Sequence, residues 1–457
     1  MPELRLLVML PGWHAAVKNK RLKPHLVTTG TLNNTAHHRL RQFNEGLKQD
    51  GYPAIELIDN HVLSKWFRDA FGAFLPLELA NSRRLLECYL SDGREPLDKL
   101  RFHALLTDFP AFMAREKGKM RRYVSGLPIL AAYAMASATG EQNHLAETEA
   151  WVLTAAQIRK VAESHSLNES HWHSSYVLCR DAAVARLSTL FDEAITDNKL
   201  IAGTIFGDGG LIWRSRVTIL MGCLAAFRLV DSLLGNSDDC RDQRAVRFIL
   251  DHRKYLFVWG ESAASCVWMI YWFMRGRPGF SSWAENLLLQ YIMAACHANS
   301  AKDGMGLAPP HEGVDACLRR LYSAEKANRF PFSTFRGITY TVRPMIFELA
   351  RTLRRQGLAA VWPVVSDVAH AQMLHHSRED RLDFHVAEGT QHAAYFDRPT
   401  RWGELRDQAR REVAEAPATL PTSLADDPAF GVLFALVHPH RLDSHFTAAL
   451  GSMIRPE

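Results

Sequence analysis

At 457 residues the chain exceeds the size at which one hydrophobic core stops growing, which predicts two or three domains. It is 47% hydrophobic and 23% charged, which excludes long disorder, and its net charge of +5 is too modest to mark a nucleic-acid binder by charge alone. The seven cysteines stand at wide spacings with no CxxC pair, which excludes a zinc ribbon and a disulfide framework and fits a reducing cytoplasm.

The first apolar run, Leu4–Leu10, is closed by Pro11-Gly12 and is too short for a secretory leader, so no signal peptide is expected. Leu4–Leu10, Leu26–Thr29 and Ala54–Ile58 have the composition of short buried strands. Between the last two, Gly30 breaks the chain. Asn33 or Asn34 can then cap a helix whose apolar face is Ala36, Leu40, Phe43 and Leu47, and Gly51 stops it. Asp59-Asn60 caps a further helix carrying Leu63, Trp66, Phe67 and Phe71. This order predicts a small, partly parallel sheet over residues 1–73, with a right-handed crossover.

From about Phe74 the pattern turns helical. Leu79–Leu90, Leu97–Ala114, Leu145–Val161 and Ser174–Asp197 all show helical periodicity. Leu211–Ala298 is apolar on most faces, which predicts about three buried helices with breaks near Gly235–Asp239 and Gly276–Gly279. Within it, Leu256–Met274 approaches the length of a membrane span, but Glu261 interrupts it and Ser262 and Ser265 dilute it, so a core helix is expected and no membrane association. These helices form a core domain over 74–300. Residues 301–416 are read as a helical C-terminal region, opening with an irregular, functional or mobile segment at Asn299–Gly313. In that region Ile338–Val342 is one extended piece, and the helix holding Pro344 in its first turn ends at Gly357. Pro417–Pro428 reads as a linker to a terminal helix, which closes the chain over 417–457. The fold class is mainly α: a multi-helix body with a small N-terminal α/β unit.

The strand ending in Thr28-Thr29-Gly30, the polar helix with Phe43-Asn44, and Ile55–Asp59 feeding a helix resemble the closing strand–helix–strand–helix of restriction endonuclease-like domains of the Mrr type. The likeness covers residues 25–67. In that family an Asp and a Glu-x-Lys on neighbouring strands hold a divalent metal that activates water for phosphodiester cleavage. Here no acid lies between Glu3 and Glu45, and Glu3 is followed two positions on by Arg5. The resemblance therefore implies a part of a nuclease-like domain with no catalytic residues of that mechanism.

What remains is a basic front end. Lys18, Lys20, Arg21, Lys23, Arg39 and Arg41, beside Asn33 and Asn34 at a helix start, are the candidate contacts for phosphate, in DNA or RNA. The plain alternative is a solvated surface beside an ordinary capped helix. No cofactor is expected: Ile205–Gly210 has glycines but no following Lys-Ser/Thr, and no GxSxG is present. Among the 21 histidines, His385, Glu388 and His392 would share a face if one helix ran through them, which makes them the metal candidates to weigh against a solvated, ion-paired surface. Glu169, His171 and His173 splay at a helix start, and His438, Pro439 and His440 read as a turn.

Glu261 is the most conspicuous single residue. A carboxylate inside a strongly apolar helix has to be paired or hydrogen-bonded, by a partner such as a nearby arginine; it reads as a structural buried ion pair or, alternatively, as a perturbed carboxyl lining a pocket. Three functions follow as expectations. One is a non-catalytic component of a bacterial DNA-directed or antiviral defence system, with the helical body as a scaffold. Another is a protein–protein adaptor that never touches nucleic acid, and the third is a metal-dependent enzyme using a His/Asp/Glu cluster.

Overall fold

The computed structural model describes residues 23–28, 34–59, 82–108, 117–196, 210–256, 260–312, 333–352, 355–373, 379–384, 391–396 and 401–454, with a few isolated positions between them. The chain divides into two compact units, Met1–Leu79 and Ala80–Glu457. As the apolar patterning implies, the architecture is mainly α, with 17 α-helices and two small sheets among the described residues.

In the N-terminal unit, β1 (His25–Val27) and β2 (Glu56–Ile58) pair in parallel, joined across α1 (Asn34–Gln49). Leu40 and Leu47 of α1 bury against Ile55, with Leu26, Phe43, Tyr52 and Leu57 around them. Asn44 fixes the connection: its side chain donates to the Ile55 carbonyl and accepts from the Ile55 amide, both at 2.8 Å. A two-stranded sheet is marginal alone, so this clasp and the apolar face of α1 hold the strand in register. The expected helix after Asp59 falls mostly outside the described residues.

The helical body opens with α2 (Ser82–Tyr89), α3 (Lys99–Thr107), α4 (Lys117–Ala134) and α5 (Ala136–Gly140). The long helices α6 (His144–Ser164) and α7 (His173–Thr196) follow. Asn143 caps α6 by accepting from the Ala146 amide at 3.2 Å. The apolar centre comprises α8 (Leu211–Leu233), α9 (Asp239–His252), α10 (Ala264–Arg275) and α11 (Ser281–Ala298). That is four helices where three were expected. The added break lies before α10, where Gly260 pairs with Ala308 and the Glu261 amide donates to the Ala308 carbonyl at 2.9 Å. Strand-like bonding there replaces the expected continuous helix over Leu256–Met274. Ala264 to Met274 are all buried, so Trp268, Tyr271, Trp272 and Phe273 are core residues. At Gly222 the helices α8 and α10 approach so closely that a Cβ would stand 2.6 Å from the Cβ of Cys266.

The segment after α11 is irregular, as expected, but it is no loose loop. Gly304 and Gly306–Pro310 are buried, and Asn299 Oδ1 accepts from the Leu307 amide at 2.7 Å. A three-stranded sheet follows: β3 (Ile338–Thr339) runs parallel to β4 (Ala369–Met373), which pairs antiparallel with β5 (Gln391–Ala394). The extended piece stops at Thr339, since α12 (Val342–Arg351) takes over at Val342. That helix ends at Arg351, and Gly357 lies inside the next one, α13 (Arg355–Val365). Gly357 packs on α11, where a Cβ would meet the tip of the Leu289 side chain at 2.7 Å.

The C-terminal region comprises α14 (Trp402–Thr419), α15 (Thr422–Asp426), α16 (Pro428–Val437) and α17 (Ser444–Ile454). Pro417–Pro428 is therefore largely helical. Pro428 occupies the first turn of α16, where a missing N–H costs nothing, and Asp427 caps that turn by accepting from the Phe430 amide at 3.0 Å. Among the described residues no helix is long and apolar enough to cross a membrane.

Candidate functional site

Four of the basic front-end candidates, Lys18, Lys20, Arg21 and Asn33, lie outside the described residues. Lys23 is exposed just ahead of β1, Asn34 opens α1, and His37, His38, Arg39 and Arg41 are exposed along its first two turns. No acid occupies the first turn of α1, and its first acid is the exposed Glu45. At about 100° per residue, Arg39 and Arg41 stand about 200° apart around the helix, on opposite flanks of the buried stripe. The described part of the patch thus presents two arginines straddling the helix rather than a single row. Arginines so placed can reach two separate phosphates, while the amides of the first turn favour an anion at the helix start.

Glu261 is fully buried, as the sequence demands, but its partners are not cationic. Its Oε2 accepts from the amides of Tyr340 and Thr341 and from the Thr341 hydroxyl, each at 2.7 Å. Its Oε1 accepts from Asn299 Nδ2 at 3.2 Å. The expected arginine ion pair is replaced by four neutral donors, because the turn before α12 aims two successive amides at the carboxylate. Burial raises the Glu261 carboxyl to about 7 in spite of them.

The ionisable groups of the body concentrate elsewhere, in a place that shows no local sequence signal. Lys160 of α6 binds both carboxylate oxygens of Asp383, at 2.5 and 2.6 Å, and His103 Nε2 lies 3.4 Å from one of them. The Asp383 carbonyl accepts from Arg441 Nε at 2.8 Å and stands 3.3 Å from His440 Nε2. Burial pushes the Asp383 carboxyl up, but His103 and Lys160 outweigh it and hold the group below the usual carboxylate range. Beside this pair, Arg381 and Asp443 form a second buried bridge at 2.5 Å.

The His-Pro-His segment forms the expected turn, a 3-10 turn at Pro439–Arg441, and the turn is buried. His438 stacks on Phe434 at 4.0 Å, and His440 meets Phe384 edge-on at 4.9 Å. Burial first, and then the charge of Arg441, push both imidazoles well below their ordinary pKa, so both are neutral at physiological pH. They are packing residues.

Against this cluster lies a cavity of about 90 Å³, lined among others by Lys99, Glu149, Ser262, Glu312, Phe384 and Pro439. Lys99 is spent on Glu149 at 2.9 Å. The two cysteines on the wall are thiols rather than thiolates: burial pushes Cys266 up to about 12 and Cys223 well above its usual value. At about 90 Å³ the cavity is well below the roughly 300–1,000 Å³ of small-molecule sites.

The metal candidates come apart. His392 lies on β5, opposite Gln372, so no helix runs through it to make a shared face. His385 and Glu388 lie outside the described residues. No group of three His, Cys, Asp or Glu among the described residues could hold a metal ion. Glu169 and His173 form an exposed pair at 3.2 Å at the start of α7. No family model, curated protein or solved structure matches this chain.

Proposed function

We propose that this protein is a non-catalytic, cytoplasmic component of a bacterial DNA-directed or antiviral defence system. Its N-terminal unit contacts nucleic-acid backbone, and its helical body is the platform for a protein partner. The observation that carries the proposal is the exposed, acid-free start of α1, with Arg39 and Arg41 exposed in its second turn and Lys23 exposed ahead of β1. Backbone contact is the chemistry that exposed cations behind a helix N-terminus support. The ascription to defence rests on the likeness of residues 25–67 to Mrr-type domains, and the non-catalytic role on the absence of that family's Asp and Glu-x-Lys from this sequence.

The test is a titration of labelled duplex DNA and of single-stranded RNA with wild type and with a Lys23→Gln, Arg39→Gln, Arg41→Gln variant. Wild type is expected to bind without regard to sequence, and the variant more weakly. Equal binding by both proteins would remove the N-terminal unit from nucleic-acid contact.

One observation favours the adaptor reading. Leu86, Tyr89 and Leu90 of α2 and the residue after it are 49%, 37% and 73% exposed, and they fall at spacings that share one helix face. If neither DNA nor RNA binds the wild type, that face is where a protein partner would seat.

A further inference from the structure

The helical body carries a second concentration of guanidinium groups, independent of the N-terminal unit. A cleft of about 620 Å³ opens among the last turns of α10, α12 and α17 and the side of α14. Its wall holds three arginines, Arg275, Arg351 and Arg410, against a single carboxylate, Glu348. Glu348 is buried and pairs with both Arg275 and Arg351. Tyr271 completes the arrangement: its hydroxyl donates to Glu348 Oε1 at 2.6 Å and accepts from Arg275 at 2.6 Å. One anion thereby fixes two guanidiniums side by side. Each guanidinium has five N–H donors, so each retains donors beyond those given to Glu348.

Arg275 and Arg351 stand in the last turns of α10 and α12, where a cation offsets the negative end of the helix dipole. Three helices end at the cleft. At about half a charge each they contribute roughly −1.5, to which Glu348 adds its own negative charge against three positive ones. The remainder is small and positive.

Capping explains two of the arginines but not the third. Arg410 lies in the middle of α14, is exposed at the rim, and has no ion pair among the described residues. The volume also exceeds what packing leaves by default and falls in the range of small-molecule sites, about 300–1,000 Å³.

We propose that this cleft binds a phosphorylated ligand, with Arg275, Arg351 and Arg410 gripping the oxygens of a terminal phosphate group. The planar fork of arginine matches phosphate geometry, and the N–H donors left on the three arginines can serve several oxygens of one phosphate. The hydroxyls of Thr352 and Ser452 on the same wall already donate to the Leu349 and Ala449 carbonyls, at 3.1 and 2.7 Å, so the arginines are the donors. A terminal phosphate has two sources, a free nucleotide or the 5′ end of a nucleic acid.

The experiment is calorimetric titration of the full chain with inorganic pyrophosphate, with ATP, and with a 5′-phosphorylated against a 5′-hydroxyl dinucleotide. Arg410→Gln is the diagnostic variant, because its exposed side chain can be neutralised without disturbing the core. Pyrophosphate is expected to bind wild type, at least tenfold more weakly to Arg410→Gln, and unchanged to the Lys23, Arg39, Arg41 variant. Preference for ATP identifies a free nucleotide, and preference for the 5′-phosphorylated dinucleotide identifies a nucleic-acid end; either upholds the site. No pyrophosphate binding at millimolar concentration overturns it. So does binding that Arg410→Gln and a folded Arg351→Gln both leave untouched, or binding that only the N-terminal variant removes.

Discussion

Replacing Glu261 by Gln should reverse its effect on stability between acid and alkaline pH. The carboxyl is raised from an ordinary 4.5 to about 7 by burial. A folded-state pKa above the unfolded one gives stability that is fully present below about 4.5 and is lost as pH rises through about 7. At 1.36 kcal/mol per unit, the wild type loses about 2–3 kcal/mol between pH 5 and pH 8 through this group alone. Gln does not titrate. Its carbonyl can stand where Oε2 accepts from Tyr340 and Thr341, but its amide then faces Asn299 Nδ2, donor against donor. Asn299 is not free to flip, because its own oxygen accepts from Leu307 at 2.7 Å. One lost hydrogen bond costs about 1 kcal/mol. Glu261→Gln should therefore be equal to or slightly below wild type at pH 5 and clearly above it at pH 8. Urea midpoints of both proteins at the two pH values decide the matter. A difference that stays constant from pH 5 to pH 8 would mean that Glu261 remains charged throughout, and the burial argument would fail.

Glu261→Leu strands two backbone amides and should be less stable than Glu261→Gln at pH 8, by roughly 2–5 kcal/mol, in the same urea experiment. Lys160→Met leaves Asp383 without its cation and should cost roughly 3 kcal/mol, read as a fall in thermal midpoint; an unchanged midpoint would show the pair to be solvated. His438→Phe should cost less than about 1.5 kcal/mol, because a neutral imidazole stacked on Phe434 is replaced by a ring of similar bulk. A loss of several kcal/mol there would point to a polar role. Purified protein should show no Mg²⁺- or Mn²⁺-dependent cleavage of DNA, since the sequence lacks the family's paired carboxylates. Cleavage abolished by mutating an acidic residue of this chain would contradict that.

The long helices of the body were legible because their apolar spacing and their caps agree. The expected Leu145–Val161 and Ser174–Asp197 correspond closely to His144–Ser164 and His173–Thr196. Where local signals and packing conflict, packing prevailed. Helix α4 runs through Gly118, Gly126 and Pro128, a composition that argues against a helix, yet it buries Met120, Tyr123, Val124, Leu127 and Leu130. Strand β4, Ala-His-Ala-Gln-Met, lacks the β-branched alternation that marks a strand and is held by its two neighbours. The burial of Glu261 could be read from its apolar surroundings. Its donors could not, since three of the four come from Tyr340 and Thr341, about eighty positions away, and the fourth from Asn299 beyond the next two helices. The Lys160–Asp383 pair, 223 residues apart, and the arginine cleft, gathered from four helices, have no local signature at all.

The central claim is that the N-terminal unit meets nucleic acid through phosphate. Its most direct test is the salt dependence of duplex-DNA affinity, followed by fluorescence anisotropy between about 50 and 200 mM salt. Each phosphate engaged contributes about −0.9 to the slope of log K against log salt. With Lys23, Arg39 and Arg41 as contacts, a slope of about −2 to −3 is expected for wild type, and one nearer zero once all three are changed to Gln. A wild-type slope indistinguishable from zero, or one that the three substitutions leave unchanged, would contradict the account.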